Sequence, residues 1–152
     1  MKVELELIYE HNQKRRRKIN REKNAYKYIS KILFKEAYKL YSLVLKGFPD
    51  FMVISSNNNV VPAGFYEIKL QKCNSKRKRS KNKDKLNLSK AQEYLLSRMA
   101  QVFPTFLILI CEDGTFKVYK IKNIKTDLSK NVIYTNNFRR DKHASRVLSK
   151  TS

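Results

Sequence analysis

The feature that most constrains the fold is a pair of apolar runs, residues 50–54 and 65–70, separated by an asparagine-rich segment. Short runs of β-branched and aromatic residues bounded by turn residues indicate buried strands. Asparagines 57–59 predict the turn, because asparagine tolerates the left-handed backbone conformation. A hairpin folded about this turn places Asp50 opposite Glu67, although a proline and a glycine before the second run predict a bulge that makes the register approximate.

Side-chain alternation along the second run places Phe65, Glu67 and Lys69 on one face, with Glu67 and Lys69 roughly 7 Å apart. Two carboxylates on neighbouring strands are oxygen ligands suited to Mg²⁺, and Lys69 could orient a water or neutralise developing charge. The alternative is a charged pair on a solvated strand face. The flanking apolar residues favour partial burial, and buried charges need partners or a metal.

Three segments together resemble the PD-(D/E)XK nucleases, and most closely the virus-type replication-repair nuclease (VRR-NUC) or Holliday junction resolvase-like branch. The segments are 47–50 (Gly-Phe-Pro-Asp), 66–69 (Tyr-Glu-Ile-Lys) and 88–92 (Leu-Ser-Lys-Ala-Gln). They follow the family order of a G-x-P-D strand start, an E-x-K strand and an L-S-x-x-Q helix start. The match covers residues 47–96, the middle third of the chain.

The resemblance implies a restriction-endonuclease-like core and a metal-dependent DNA endonuclease of a family that often acts on branched or flapped DNA. We expect Mg²⁺ as the cofactor, with Mn²⁺ able to substitute. Recombination, repair, replication of a mobile element and restriction are all open as the biological process. It implies that Asp50, Glu67 and the Ile68 carbonyl hold the metal and that Lys69 is the catalytic lysine. Gln92 matches the family glutamine. A homodimer is left open, as is a non-catalytic nucleic-acid-binding protein built on a degenerate fold of this kind.

Two residue assignments keep alternatives. Gln92 also completes a capping box with Ser89, in which the glutamine side chain reaches back to the N–H of the cap residue, so a site role and a capping role are both open. The further acid that many family members carry on the first helix could be Glu22 or Glu36, since both border the apolar stripe of the predicted helix.

Charge indicates a polyanionic partner. The 152 residues, which we interpret as one domain, have a formal net charge of +21, and such self-repulsion is relieved by a polyphosphate. Residues 14–23 carry seven Lys or Arg, and residues 72–85 carry eight. The nucleic-acid-binding residues expected from these runs are Arg15, Arg16, Arg17, Lys76, Arg77, Lys78, Arg79 and Lys81. DNA is the expected partner, with RNA as an alternative; a compositional bias toward lysine and a nuclear-localisation signal at 76–79 are the other interpretations.

The rest of the pattern predicts an α/β fold with a central mixed β-sheet flanked by helices. The predicted elements are a strand at 3–9, a long helix at 21–46 closed by Gly47, a helix at 89–101 and strands at 105–110 and 115–121. Residues 72–85 are expected to be a basic loop, and the tail to be frayed from about residue 142.

The remaining signals concern the cellular compartment. Cys73 and Cys111 show no zinc-ligand spacing, and we expect two reduced thiols. No apolar run is long enough for a membrane-spanning helix and no signal peptide is evident. The chain is therefore expected to be intracellular, cytoplasmic or nuclear, and an origin in a virus or mobile element is left open.

Overall fold

The computed structural model describes residues 3–41, 47–73 and 88–122. In chain order these residues form β1 (Leu5–His11), α1 (Glu22–Ile32), β2 (Phe34–Lys39), β3 (Phe51–Ser56), a 3₁₀ turn (Asn57–Asn59), β4 (Gly64–Gln71), α2 (Lys90–Ala100), β5 (Thr105–Cys111) and β6 (Phe116–Ile121). The six strands make one sheet in the order β1-β6-β5-β4-β3-β2. Only β4 and β5 pair in parallel; the other neighbours are antiparallel. The predicted α/β fold with a mixed sheet flanked by helices is confirmed.

The β3–β4 hairpin has the register that the sequence predicts. Phe51 pairs with Tyr66, and the paired residues continue without a register shift, so the expected bulge is absent from this part of the ladder. Two asparagines of the turn at Asn57–Asn59 have positive φ angles of 56° and 53°, as left-handed turn residues do. Asp50 and Glu67 are the next positions outward from the last pair, so the hairpin brings them to the same end.

The first helix is much shorter than predicted. It ends at Ile32, and the chain continues as β2 instead of remaining helical to residue 46; residues 42–46 lie outside the described residues. The ring of Phe34 packs against Phe51 and Tyr66, with centroids 5.5 Å apart in both cases. Pairing with β3 and burial of this ring outweigh the helical propensity of the following Lys, Glu and Ala, because tertiary contacts override weak local preferences.

The two helices cover opposite faces of the sheet. Along β5, Phe106, Ile108 and Ile110 belong to the hydrophobic cluster that includes the buried face of α1. Leu107 and Leu109 belong to a second cluster with Leu96 of α2. Successive strand residues point to opposite faces, so alternate residues of a central strand pack on the α1 side and on the α2 side of the sheet.

A disulfide joins Cys73 to Cys111, which corrects the expectation of two reduced thiols. The parallel ladder pairs Gln71 with Cys111, so Cys73 follows only two residues beyond that pair, and its Cα lies 5.4 Å from that of Cys111. The two cysteines are 38 residues apart in sequence, and only the β4–β5 register brings them together.

Several expectations concern segments outside the described residues. Most of the basic loop at 72–85 lies there, as does the C-terminal region from residue 123, which includes the tail expected to fray. No helix in the described part of the chain is long and apolar enough to cross a membrane.

Candidate active site

Asp50 lies immediately before β3, where three donors fix its carboxylate. The N–H of Ile68 donates to Oδ2 at 2.8 Å, and the hydroxyl of Tyr26 donates to Oδ1 at 3.0 Å. Lys39 Nζ lies 3.3 Å from the same Oδ1. The last described backbone pair of β3 and β4 is Phe51 with Tyr66, so this carboxylate takes the Ile68 N–H beyond the end of the ladder. Asp50 is therefore oriented by β4, α1 and β2 together.

Tyr26 and Lys39 are the two site residues that the sequence did not reveal. Lys39 Nζ lies 4.3 Å from the centroid of the Tyr26 ring and 5.3 Å from that of Phe51, distances typical of cation–π contacts. Burial, and then the neighbouring Asp50 carboxylate, raise the pKa of Tyr26, so its hydroxyl keeps its proton as a donor. Lys39 lies at the end of a strand that was predicted as helix, and Tyr26 lies within the predicted helix with no motif that distinguishes it.

Glu67 is buried on the α2 side of the sheet, with only 3% of its surface exposed. Its Oε1 accepts a hydrogen bond of 3.0 Å from Nε2 of Gln92 and lies 3.9 Å from Lys69 Nζ. Its Oε2 has no hydrogen-bond partner among the described residues. Native structures rarely leave a buried polar atom without a partner, so this oxygen requires an explanation.

Burial raises the pKa of Glu67 to about 8, and the neighbouring Asp50 carboxylate adds to the rise. The positive charge of Lys69 opposes this effect without cancelling it. Asp50 also acts as a hydrogen-bond neighbour, since a protonated Glu67 can donate to it. Without a cation Glu67 is therefore expected to hold its proton at neutral pH, because burial and a neighbouring negative charge both disfavour its ionised form.

Gln92 caps α2 and also contacts Glu67, while its role in a site stays a prediction. Its Oε1 accepts from the Ser89 N–H at 3.1 Å, and its own N–H donates to Ser89 Oγ at 3.1 Å, which completes the capping box of α2. The other end of the same amide donates to Glu67. A primary amide carries an acceptor and two donor hydrogens, so capping and contact with the site occur together.

Gly47 lies against the first turn of α2, with a φ of 89°. A Cβ at this position would lie 2.9 Å from the carbonyl carbon and oxygen of Ala91, closer than real Cβ contacts. The sequence had assigned Gly47 to the end of the long first helix, but its contact is with a different helix. This close approach sets the path of the chain that leads into Asp50.

Of the two candidate further acids, Glu22 lies nearer the site. It is in the first turn of α1, one turn before Tyr26, and its negative charge contributes to the raised pKa of Glu67. Glu36 is on the edge strand β2 instead of a helix, and it is exposed and accepts a hydrogen bond from Tyr38.

The donor set fits a hard divalent cation. No group of three or more His, Cys, Asp or Glu converges within the described ranges, but Mg²⁺ is commonly held by one or two carboxylates and completes its shell with water and substrate phosphate. Asp50 and the partnerless Oε2 of Glu67 supply two such carboxylates. The N–H and C=O of one strand residue point toward the same neighbouring strand, so the Ile68 carbonyl is directed to the edge where Asp50 lies, and its role as a ligand stays a prediction.

The arginine run is held against the sheet. Arg15, Arg16 and Arg17 are exposed, yet the N–H of Arg15 donates to the Asp113 carbonyl at 2.6 Å, and its guanidinium lies 4.6 Å from the Tyr28 ring centroid. The other predicted nucleic-acid contacts, Lys76, Arg77, Lys78, Arg79 and Lys81, lie outside the described residues.

The structure thus brings Asp50, Glu67, Lys69 and Gln92 to one place between the β3–β4 hairpin and α2, as the sequence pattern requires. Comparison with known proteins adds no relative, since neither a protein-family model, nor a curated protein, nor a solved structure matches this chain.

Proposed function

We propose that this protein is a Mg²⁺-dependent endonuclease that hydrolyses phosphodiester bonds in DNA. The observation that carries the proposal is the buried Glu67 Oε2, which has no partner in the described part of the chain and lies beside a second carboxylate, Asp50. Burying such a pair is costly. Lys39, 3.3 Å from Asp50, and Lys69, 3.9 Å from Oε1 of Glu67, offset part of that cost, but Oε2 of Glu67 is left without a hydrogen bond from the described residues. In the metal-free site a proton on Glu67 can be donated to Asp50; a divalent cation between the two carboxylates would take the place of that proton as the partner of Oε2.

The residues of the site have separate tasks. When bound, the metal would lower the pKa of a water and stabilise charge on the phosphate. Asp50 and Glu67 would hold it, and the donors around each carboxylate fix their orientation beforehand. The side chain of Lys69 is 20% exposed, so its ammonium can reach a phosphate oxygen or the attacking water from the protein side of the site.

The substrate class follows from charge. A net charge of +21 favours a polyphosphate over other anions. The preference for branched or flapped DNA rests on the family resemblance, the use of Mn²⁺ in place of Mg²⁺ is an expectation, and the biological process is open. RNA is the alternative substrate that a direct test must include.

The decisive experiment is cleavage of labelled linear, nicked, flapped and four-way-junction DNA, and of RNA, with Mg²⁺, with Mn²⁺ and with excess chelator. We expect cleavage of DNA that a chelator abolishes and either metal restores. Asp50→Asn and Glu67→Gln preserve side-chain shape and should lower the cleavage rate by several orders of magnitude. Lys69→Met should slow cleavage while preserving Mg²⁺ binding measured by calorimetry.

The matched controls are Glu36→Gln and Lys35→Met, which remove the same charges from exposed positions of β2. Both should cleave at the wild-type rate. If the wild-type protein binds DNA but cuts no substrate with any metal, the protein is a binding module and the nuclease proposal is wrong. Equal losses in site and control variants would show that charge alone, and not the site, matters.

A further inference from the structure

A basic groove runs along α1 on the opposite side of the helix from its contact with Asp50. It has a volume of about 510 Å³. Five cationic side chains and one amide line it: Arg15, Arg17, Lys18, Lys27, Lys31 and Asn24. None of the described lining residues is acidic.

The groove is built on a fixed frame. Next to it, the buried Ile19 anchors the arginine segment in the core, and its N–H donates to the Glu112 carbonyl at 2.8 Å. The N–H of Arg15 donates to the Asp113 carbonyl at 2.6 Å. On the other wall, Lys27 and Lys31 are one helical turn apart, a rise of roughly 6 Å. Cations from two separate segments therefore face one space without the ordering cost of a free loop.

Two acids on neighbouring elements, Asp113 and Glu22, do not line the groove. The carboxylate of Asp113 accepts hydrogen bonds from the Thr115 N–H and hydroxyl at 3.0 Å and 2.6 Å. Glu22, in the first turn of α1, is not among the lining residues, and its negative charge acts on Glu67, whose pKa it raises. The groove thus concentrates positive charge that no described carboxylate among its lining residues neutralises, and an external anion is the missing partner.

We infer that this groove binds the phosphate backbone of a nucleic acid at a distance from the two carboxylates. The inference rests on the proposed function for the identity of the polymer, and it adds a second contact surface that carries no cleavage chemistry. It implies that the substrate extends past the cut bond and across α1, and that these contacts are independent of sequence because they reach only phosphates.

An anionic membrane surface fits the groove less well. A helix that lies on a membrane turns an apolar face toward the lipid, but the apolar face of α1, with Ala25 and Ile29, is fully buried in the core. The cations here line a concave space and do not form a rim around an exposed apolar face. A strand of phosphates can enter such a space, whereas a flat headgroup layer cannot.

The test is the binding of a fluorescein-labelled DNA duplex by anisotropy, in excess chelator so that no metal-dependent cleavage occurs, at several salt concentrations. Lys27→Gln/Lys31→Gln should weaken binding and lower the slope of log affinity against log salt by about 0.9 for each phosphate that is no longer neutralised. The matched control is Lys35→Gln/Lys120→Gln, two exposed lysines of the sheet that are outside the groove. Its slope should stay close to that of the wild-type protein.

The outcomes separate this inference from the nuclease proposal. Equal salt slopes for the groove variant and the control variant would overturn the inference. It would also be overturned if the groove variant lost binding to phosphatidylserine vesicles while its DNA binding stayed unchanged. Because binding is measured without metal, a groove that binds DNA in a protein that never cuts would sustain the inference while the nuclease proposal fails. Thermal melting of each variant excludes unfolding as the cause of a change.

Discussion

Glu67 should make the metal-free protein less stable as the pH rises. Burial and the neighbouring Asp50 raise its pKa in the folded state to about 8, from an ordinary value of 4.5. Between these values the unfolded chain has released the proton and the folded chain still holds it. Raising the pH therefore favours the unfolded state, with a slope of about 1.4 kcal/mol per pH unit for one proton. The loss of stability begins as the pH rises above the pKa of Glu67 in the unfolded chain, and it ends above the pKa of Glu67 in the folded chain.

The difference in the free energy of unfolding between the wild-type protein and Glu67→Gln isolates this effect. The amide cannot titrate, and the contributions of the other titrating groups cancel in the difference. Over two pH units inside the window, the wild-type free energy of unfolding should fall by about 2.7 kcal/mol relative to the variant. Urea unfolding at several pH values, with chelator present, measures it. Glu36→Gln, which removes a carboxylate from an exposed strand, should retain the wild-type decline.

Adding Mg²⁺ extends the same test. A cation that takes the place of the Glu67 proton binds the folded state alone, so it should raise the melting temperature more at high pH than at low pH. The Glu67→Gln protein should show little of this stabilisation. If the free energy of unfolding changes with pH in the same way for the wild-type protein and Glu67→Gln, the reasoning is refuted. That result would mean that Glu67 has the same pKa in the folded and unfolded states.

Three further outcomes are expected. Tyr26→Phe removes a donor from the Asp50 carboxylate and should lower the free energy of unfolding by about 1–2 kcal/mol in urea titrations; an unchanged value would show that this hydrogen bond contributes nothing. Gln92→Glu keeps an N-terminal cap but sets a second carboxylate against Glu67, so calorimetry should show a loss of thermal stability at pH 8 that shrinks at pH 5. Cys73→Ala should cost about 2–4 kcal/mol, a loss that a reducing agent reproduces in the wild-type protein; if neither change alters stability, the disulfide does not form.

The hairpin could be predicted because everything that sets it is local. The apolar alternation, the asparagine turn and the proline before Asp50 lie within about twenty residues, and together they leave one register in which both strands bury their apolar residues. The capping box of α2 is equally local, since Ser89 and Gln92 are three residues apart. In each case sequence neighbours supply the stabilising contacts, so pattern and structure agree.

The strand after α1 could not be predicted for the opposite reason. Residues 34–39 contain good helix formers, and their own preference does not distinguish a long helix from a helix followed by an edge strand. Strand is favoured over helix because the Phe34 ring packs against Phe51 and Tyr66, which are distant from it in sequence. The disulfide was hidden in the same way, because it depends on the parallel register of β4 with β5.

The same distinction explains which half of the site was visible. β4 is apolar around Glu67, so burial of that carboxylate follows from the strand alone, and with it the need for a proton or a cation. Two of the three groups that orient Asp50 come from α1 and β2, and the sequence misplaced the boundary between these elements, so Tyr26 and Lys39 were not predicted as site residues. The local sequence pattern located the buried carboxylate of Glu67, and non-local packing determined which groups orient the carboxylate of Asp50. The nuclease proposal therefore requires that substitutions of Asp50 and Glu67 change metal binding and cleavage, and not only the stability of the fold.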